Sequence, residues 1–214
     1  MTKTLLRETH PAGSFKITAL MRKRLTRHAQ EMIERSLTHF PELNGQVITV
    51  GYTRKHLGSA TVTYRKGVIS ALAIRLKVRK LTYQTIGHEL THLLQGLAHA
   101  ARSRPGSADP VRIPSGEKQC DIWTLARHEL FCDDPPTYLH LPRVMRESWP
   151  AYASAVRTLC MNAIEKRLSY RRYIHWLEGE IRKLAEAPRK ENPIHRQLDL
   201  FLPSQFIASP LADR

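Results

Sequence analysis

Residues 87–92, GHELTH, put two histidines four positions apart, with a glutamate directly after the first. On a helix, positions i and i+4 share a face, so the imidazoles of His88 and His92 can reach one metal ion. Glu89 then points beside that ion, toward an open coordination position. A carboxylate placed there can take a proton from zinc-activated water. Apolar Ile86, Leu90, Leu93 and Leu94 flank the motif, as a helix packed inside a domain requires. The alternative is two ordinary histidines on a helix surface, but the context of strand, short turn and apolar helix favours a metal site.

A catalytic zinc needs a third protein ligand and a free position. Glu117 is the leading candidate. Asp121 lies four residues further on the same predicted helix and could orient a ligand imidazole or bind metal directly. Two histidines compete: His99, one residue beyond the spacing of the HExxHxxGxxH pattern, and His128. Asp121 precedes apolar Ile122 and Trp123, which predicts burial, and a buried carboxylate needs a partner. Zinc or a ligand histidine would supply one. The simpler reading of Glu117 and Asp121 is charge at a helix N-terminus. His128 and Tyr138 are candidates for the oxyanion donor.

The elements that must position these groups follow from periodicity. Residues 46–52, 59–64 and 68–78 read as strands, the last alternating Ile74, Leu76 and Val78 with Arg75, Lys77 and Arg79. Residues 82–100 have helical spacing and carry the motif. Residues 102–116 are rich in Pro, Gly and Ser and read as a loop; a further helix starts near Ser115. Residues 15–37 read as one amphipathic, strongly basic helix. Residues 148–187 predict one or two long helices with Trp149, Tyr152, Val156, Leu159, Ile164, Leu168, Ile174, Leu177, Ile181 and Leu184 as core contacts. The expected organisation is a basic N-terminal helix over 1–44, a catalytic core over 45–142, a helical segment over 143–190 and a tail over 191–214.

The 214 residues carry 34 Lys and Arg against 19 Asp and Glu, a net charge of +15. So large an excess points to a polyanionic partner, DNA or RNA. The cysteines, Cys120, Cys132 and Cys160, form no CxxC and read as buried thiols. No apolar run is long enough to span a bilayer, and the first residues lack the apolar stretch of a secretory signal. The expectation is a cytosolic protein with no membrane partner.

At HELTH and the later Glu117…Asp121 pair the chain resembles the gluzincin side of the zincin metallopeptidases. Residues 117–126, EKQCDIWTLA, resemble a segment of ImmA/IrrE-type peptidases, with Cys120 replacing a small residue. Residues 58–95, from GSA through IRLKV to GHELTHLLQ, are similar to SprT-like domains, although no zinc ribbon or convincing third histidine is present. The resemblance covers roughly residues 45–130. It implies an α+β fold: a small zincin-type sheet whose edge strand lines a cleft, with the HExxH helix beneath and helices flanking at both ends. It also implies a Zn2+ cofactor held by His88, His92 and Glu117, Glu89 as base and Asp121 behind the ligands. The implied substrate is protein bound or crosslinked to DNA. A regulatory peptidase that cleaves one DNA-binding repressor is the second expectation. A non-catalytic DNA- or clamp-binding module is the third.

In the tail, Gln197, Leu198, Asp199, Leu200 and Phe201 resemble the pentapeptide that binds the bacterial sliding clamp. Leu200 and Phe201 would fill an apolar pocket, and Gln197 would hydrogen-bond at its edge. A tail docked on the protein's own core is the competing reading.

Overall fold

The computed structural model describes residues 9–10, 13–102 and 113–187. It is a mixed fold, compatible with the expected α+β class. One five-stranded sheet has the order β1-β2-β3-β5-β4. The strands are β1 (Thr9–His10), β2 (Gly13–Ile17), β3 (Val47–Tyr52), β4 (Gly58–Arg65) and β5 (Val68–Leu76). Strand β3 pairs parallel with β2 and β5, whereas β4 pairs antiparallel with β5 and forms the edge. Lys66 and Gly67 join β4 to β5 with φ of 51° and 74°. A two-residue turn with both φ positive matches the twist of the strands it joins.

Alternation decides the faces. Phe15, Ile48, Val50, Leu72, Ile74 and Leu76 point inward and are buried. The helices are α1 (Ala19–Arg22), α2 (Arg27–Thr38), α3 (Tyr83–Arg102), α4 (Glu117–Arg127), α5 (Arg143–Glu147), α6 (Trp149–Lys166) and α7 (Tyr173–Glu186). Helix α3 crosses the inner face over β4 and β5. Two apolar clusters result. One joins the sheet to α2 and α3; the other joins α4 to α5, α6 and α7. No helix among the described residues is long and apolar enough to cross a membrane.

Residues 15–37 do not form one helix. Phe15 and Ile17 enter the sheet opposite Ile48 and Val50. Thr18 then caps α1 by accepting from the Met21 N–H, and Thr26 caps α2 by accepting from the Ala29 N–H. Two separate N-caps start two separate helices. Strand β5 ends at Leu76 rather than at the expected Val78, where the chain tightens into a 3-10 turn. Leu168 is 84% exposed because α6 has ended before it. Residues 103–112 of the expected loop, and 188–214 with the pentapeptide 197–201, lie outside the described residues.

Candidate metal centre

Helix α3 carries His88, Glu89 and His92, and its start is fixed from far along the chain. The Asp133 carboxylate accepts from the N–H groups of Tyr83 and Gln84 at 2.7 and 2.8 Å, using two of the free donors at a helix N-terminus. Gly87 lets α3 and α4 approach. A Cβ on Gly87 would lie 2.7 Å from atoms of Phe131 and Thr124. Thr91 donates to the Gly87 carbonyl and hydrogen-bonds Thr124 across the same contact.

This packing brings Glu117 and Asp121 of α4 to the two histidines. Asp121 is fully buried and satisfied. Its Oδ1 accepts from Gln84 Nε2 at 3.1 Å and His88 Nδ1 at 2.8 Å; its Oδ2 accepts from the Tyr138 and Leu139 N–H groups at 2.6 and 2.7 Å. The Gln95 amide nitrogen donates to the carbonyls of Pro114 and Gly116, which leaves Gln95 Oε1 to accept from His92 Nδ1 at 3.0 Å. Each imidazole therefore carries its proton on Nδ1 and turns Nε2 toward the other.

Glu117 Oε2 sits 3.0 Å from His88 Nε2 and 2.9 Å from His92 Nε2. With both Nδ1 atoms protonated, two lone pairs and one carboxylate oxygen converge with no proton between them. Such a set needs a cation, either extra protons on the rings or a metal ion. Three donors on a tetrahedral ion at 2.0–2.1 Å stand about 3.3 Å apart, close to the spacing seen. The donor set fits a divalent metal.

The electrostatics agree. Burial opposes a charged His88, but the hydrogen bond and charge of Asp121, with Glu89 and Glu117, outweigh it and raise its pKa. Burial also opposes an ionised Glu117, yet hydrogen bonds and positive charge from His92 and His88, when the rings take up the extra protons, outweigh burial and lower its pKa. Glu89 is 6% exposed, and burial is the main cause that pushes its carboxyl up to about 7, with Glu117 adding to the shift. Gly58, at the start of the edge strand, makes room for it: a Cβ there would stand 2.5 Å from Glu89 Oε1.

Cys120 is the residue that sequence reasoning passed over. It is fully buried, as expected, but its thiol and one ring nitrogen of each histidine lie within 4.8 Å of one another. His88, His92 and Cys120 are thus a group that could hold a metal ion. Cys120 follows Glu117 by three positions, which puts it on the same side of α4. That spacing was the available signal. The donor contacts favour Glu117 over Cys120 as third ligand, because its oxygen already touches both Nε2 atoms. Burial and the neighbouring carboxylates, by contrast, push the thiol pKa up.

His128 is not in the site. It takes up extended backbone at the end of α4, with φ −160°, and stacks on His39 at 4.0 Å. His99 belongs to α3 seven positions past His92, outside the residues whose side chains are described. Tyr138 does reach the site, with its ring stacked on His88 at 5.4 Å. The centre opens into a cleft of about 600 Å³ walled by β4, with Lys55, His56, Thr137 and Tyr138 on its rim. Lys55 and His56 gave no local signal, because their place depends on how the loop from β3 reaches the edge strand.

Neither a scan against protein-family models nor searches of curated proteins and of solved structures returned a match to this chain.

Proposed function

We propose that this chain is a zinc-dependent peptidase acting on DNA-associated proteins. The observation that carries the reading is the convergence of His88 Nε2, His92 Nε2 and Glu117 Oε2 beside the buried carboxyl of Glu89, at the foot of a cleft walled by an edge strand. Two imidazoles and one carboxylate suit zinc and leave a position free for substrate. A zinc ion bound there would polarise the scissile carbonyl and lower the pKa of a water to about 7.

The chain's own residues supply the rest. Asp121 and Gln95 hold the two imidazoles in one tautomer and orientation. Strand β4, the edge of the sheet among the described residues, would offer backbone N–H and C=O groups to an extended peptide lying across Glu89. Glu89 takes the proton of the attacking water as oxygen bonds to the carbonyl carbon. It then delivers that proton to the leaving amine as the C–N bond breaks. Tyr138, stacked on His88 at the rim, is the donor best placed to meet the developing oxyanion.

The net charge supports a DNA partner. By its resemblance to the clamp-binding pentapeptide, the segment Gln197, Leu198, Asp199, Leu200 and Phe201 would bring the enzyme to the replication clamp. Such a placement fits DNA-protein crosslink repair. The test is cleavage of a DNA-binding protein by the zinc-loaded chain, with and without DNA, beside Glu89→Gln, with zinc counted by mass spectrometry. One zinc per chain and DNA-stimulated cleavage lost in Glu89→Gln are expected. One zinc without cleavage of any protein would rule the reading out.

A second reading has its own observation. The Cys120 thiol beside both histidines could close the coordination shell as a fourth protein donor, as structural sites do. The chain would then be a non-catalytic DNA- or clamp-binding module. A cobalt-loaded sample distinguishes the two: a thiolate-to-cobalt charge-transfer band that vanishes in Cys120→Ala marks the closed site.

A further inference from the structure

The outward face of the sheet is charged on one side of the scale only. From residue 43 to residue 88 the chain contains no Asp or Glu, but eight Lys and Arg. Residues 9–30, which include β2, likewise lack acids and carry five Lys and Arg. Of these cations Lys16 and Arg75 lie on the face that alternation turns away from the core, and Arg54, Arg65 and Lys66 lie at its ends; Arg22, Lys23, Arg24 and Arg27 belong to α1, α2 and the turn between them, and Arg79 and Lys80 to the 3-10 turn after β5. One row across it runs Lys16, Thr49, Ala73, Thr61; the next runs Gly51, Arg75, Ser59. Thr63 lies opposite Ala71. Lys16 and Arg75 are exposed, and the Arg75 side chain roofs Gly51. Exposed Arg65 and Lys66 stand at one end of the face, where β4 turns into β5; exposed Arg54 stands beyond the other. Lys55 carries the same charge onto the rim of the cleft.

We infer that this face is a docking surface for the backbone of duplex DNA, continuous with the cleft. The argument is charge complementarity and residue type. Lysine and arginine neutralise phosphates, and short Thr and Ser hydroxyls hydrogen-bond them without reading bases. Single strands are usually held by aromatic side chains on which bases stack, and these rows contain none. Strand β5 has nine residues, about 30 Å of rise. That length follows roughly nine base pairs of duplex. A substrate protein seated on the same duplex would thus be presented at the mouth of the cleft. The choice of DNA rests on the proposed function; the binding itself is read without turnover, so a failure of the peptidase reading leaves it separately testable.

The experiment is fluorescence anisotropy of the full chain with a random-sequence DNA duplex, the matching single strand and an RNA duplex, over a salt series. The variant combines Lys16→Gln, Arg65→Gln, Lys66→Asn and Arg75→Gln; the control combines Arg143→Gln, Arg171→Gln, Arg172→Gln and Arg182→Gln on the helical side. The sheet variant should weaken duplex binding at least about 30-fold and reduce the log–log salt slope by about 3 to 4. The control should change it less than about 3-fold. In the unaltered chain, DNA should protect Lys16 and Lys66 from acetylation but not Lys183, which needs no variant to fold. Equal losses in both variants, tighter binding of the single strand or of duplex RNA, or unprotected Lys16 and Lys66 would each overturn the inference.

Discussion

The two apolar clusters hold different halves of one site. The histidines belong to the first: Ile86, Leu90, Leu93 and Leu94 of α3 are packed with the sheet and α2. Glu117 and Asp121 belong to the second: Ile122 and Leu125 of α4 are packed with α5, α6 and α7. The first cluster is built on long-range strand pairing and the second on helices close in sequence. Neither contains the candidate donor set alone. The donor set exists only where α3 meets α4, and polar contacts at that seam decide the geometry while apolar burial on either side keeps the helices in place.

Asp121 is the strongest point of the seam, and its loss is the largest expected effect. Asp121→Ala would leave His88 Nδ1, the Gln84 amide and two backbone N–H groups without their acceptor in a fully buried position. Hydrogen bonds to a charged group contribute about 1.5–3 kcal/mol each, and stranded buried donors cost about 1–3 kcal/mol. The four are not additive, so a loss of about 3–5 kcal/mol is expected, read by urea denaturation of the metal-free protein. Unchanged stability would show that the clusters are joined elsewhere.

A wedge at the seam comes next. Gly87→Ala pushes a methyl group against Phe131 and Thr124, and overpacking of this kind costs about 1–3 kcal/mol. Gly179→Ala in α7, whose Cβ would meet nothing within 4 Å, should instead gain about 0.5–1 kcal/mol. Thermal midpoints of the two variants, moving in opposite directions, would separate the seam from the outer helices. Movement in the same direction would break the comparison.

Legibility divides along the same line. The spacing of His88, Glu89 and His92, and of Glu117 and Asp121, was readable because i, i+4 geometry is local. Strands β3, β4 and β5 were readable from local residue pattern, β5 most clearly from the alternation in its second half. Strand β2 was not, because its pairing with β3 is a long-range choice, and Phe15 and Ile17 look equally apt for a helix. The supporting shell was hidden for the same reason. Nothing local marks Gln84 and Gln95, whose partners Asp121, Pro114 and Gly116 are met only when α4 lies beside α3. His128 looked available because it follows α4 in sequence, but its extended backbone turns it out of the helix.

Gln95 sharpens the comparison at smaller cost. It holds His92 Nδ1 and ties the segment before α4 through Pro114 and Gly116. Gln95→Ala frees the His92 ring, and removing such a partner costs about 10–100-fold in metal affinity. Competition against a chelator should show that loss while the apo protein's stability drops far less than in Asp121→Ala. A stability loss as large as that of Asp121→Ala would make Gln95 a structural strut instead.

The smallest effect is expected where the clusters touch away from the candidate metal site. His39 at the end of α2 stacks on His128 at the end of α4, and Arg127 reaches across to the His39 carbonyl and to Glu42. Burial, then the charges of His128, Arg35 and Arg127, hold the His39 pKa below its ordinary value of 6.5. A depressed histidine binds its proton less readily folded than unfolded. Its contribution is therefore unimpaired well above pH 6.5 and is lost as pH falls through 6.5 toward the folded value. His88 works the other way, its raised pKa favouring the folded state on acidification, so the test compares variants. Between pH 7.5 and 5.5, His39→Gln should lose less stability than the unaltered chain, because the amide cannot acquire the charge that His128 and the two arginines oppose. A pH profile unchanged by His39→Gln would mean that the stacked pair carries no electrostatic load and that apolar contact alone closes this side of the seam.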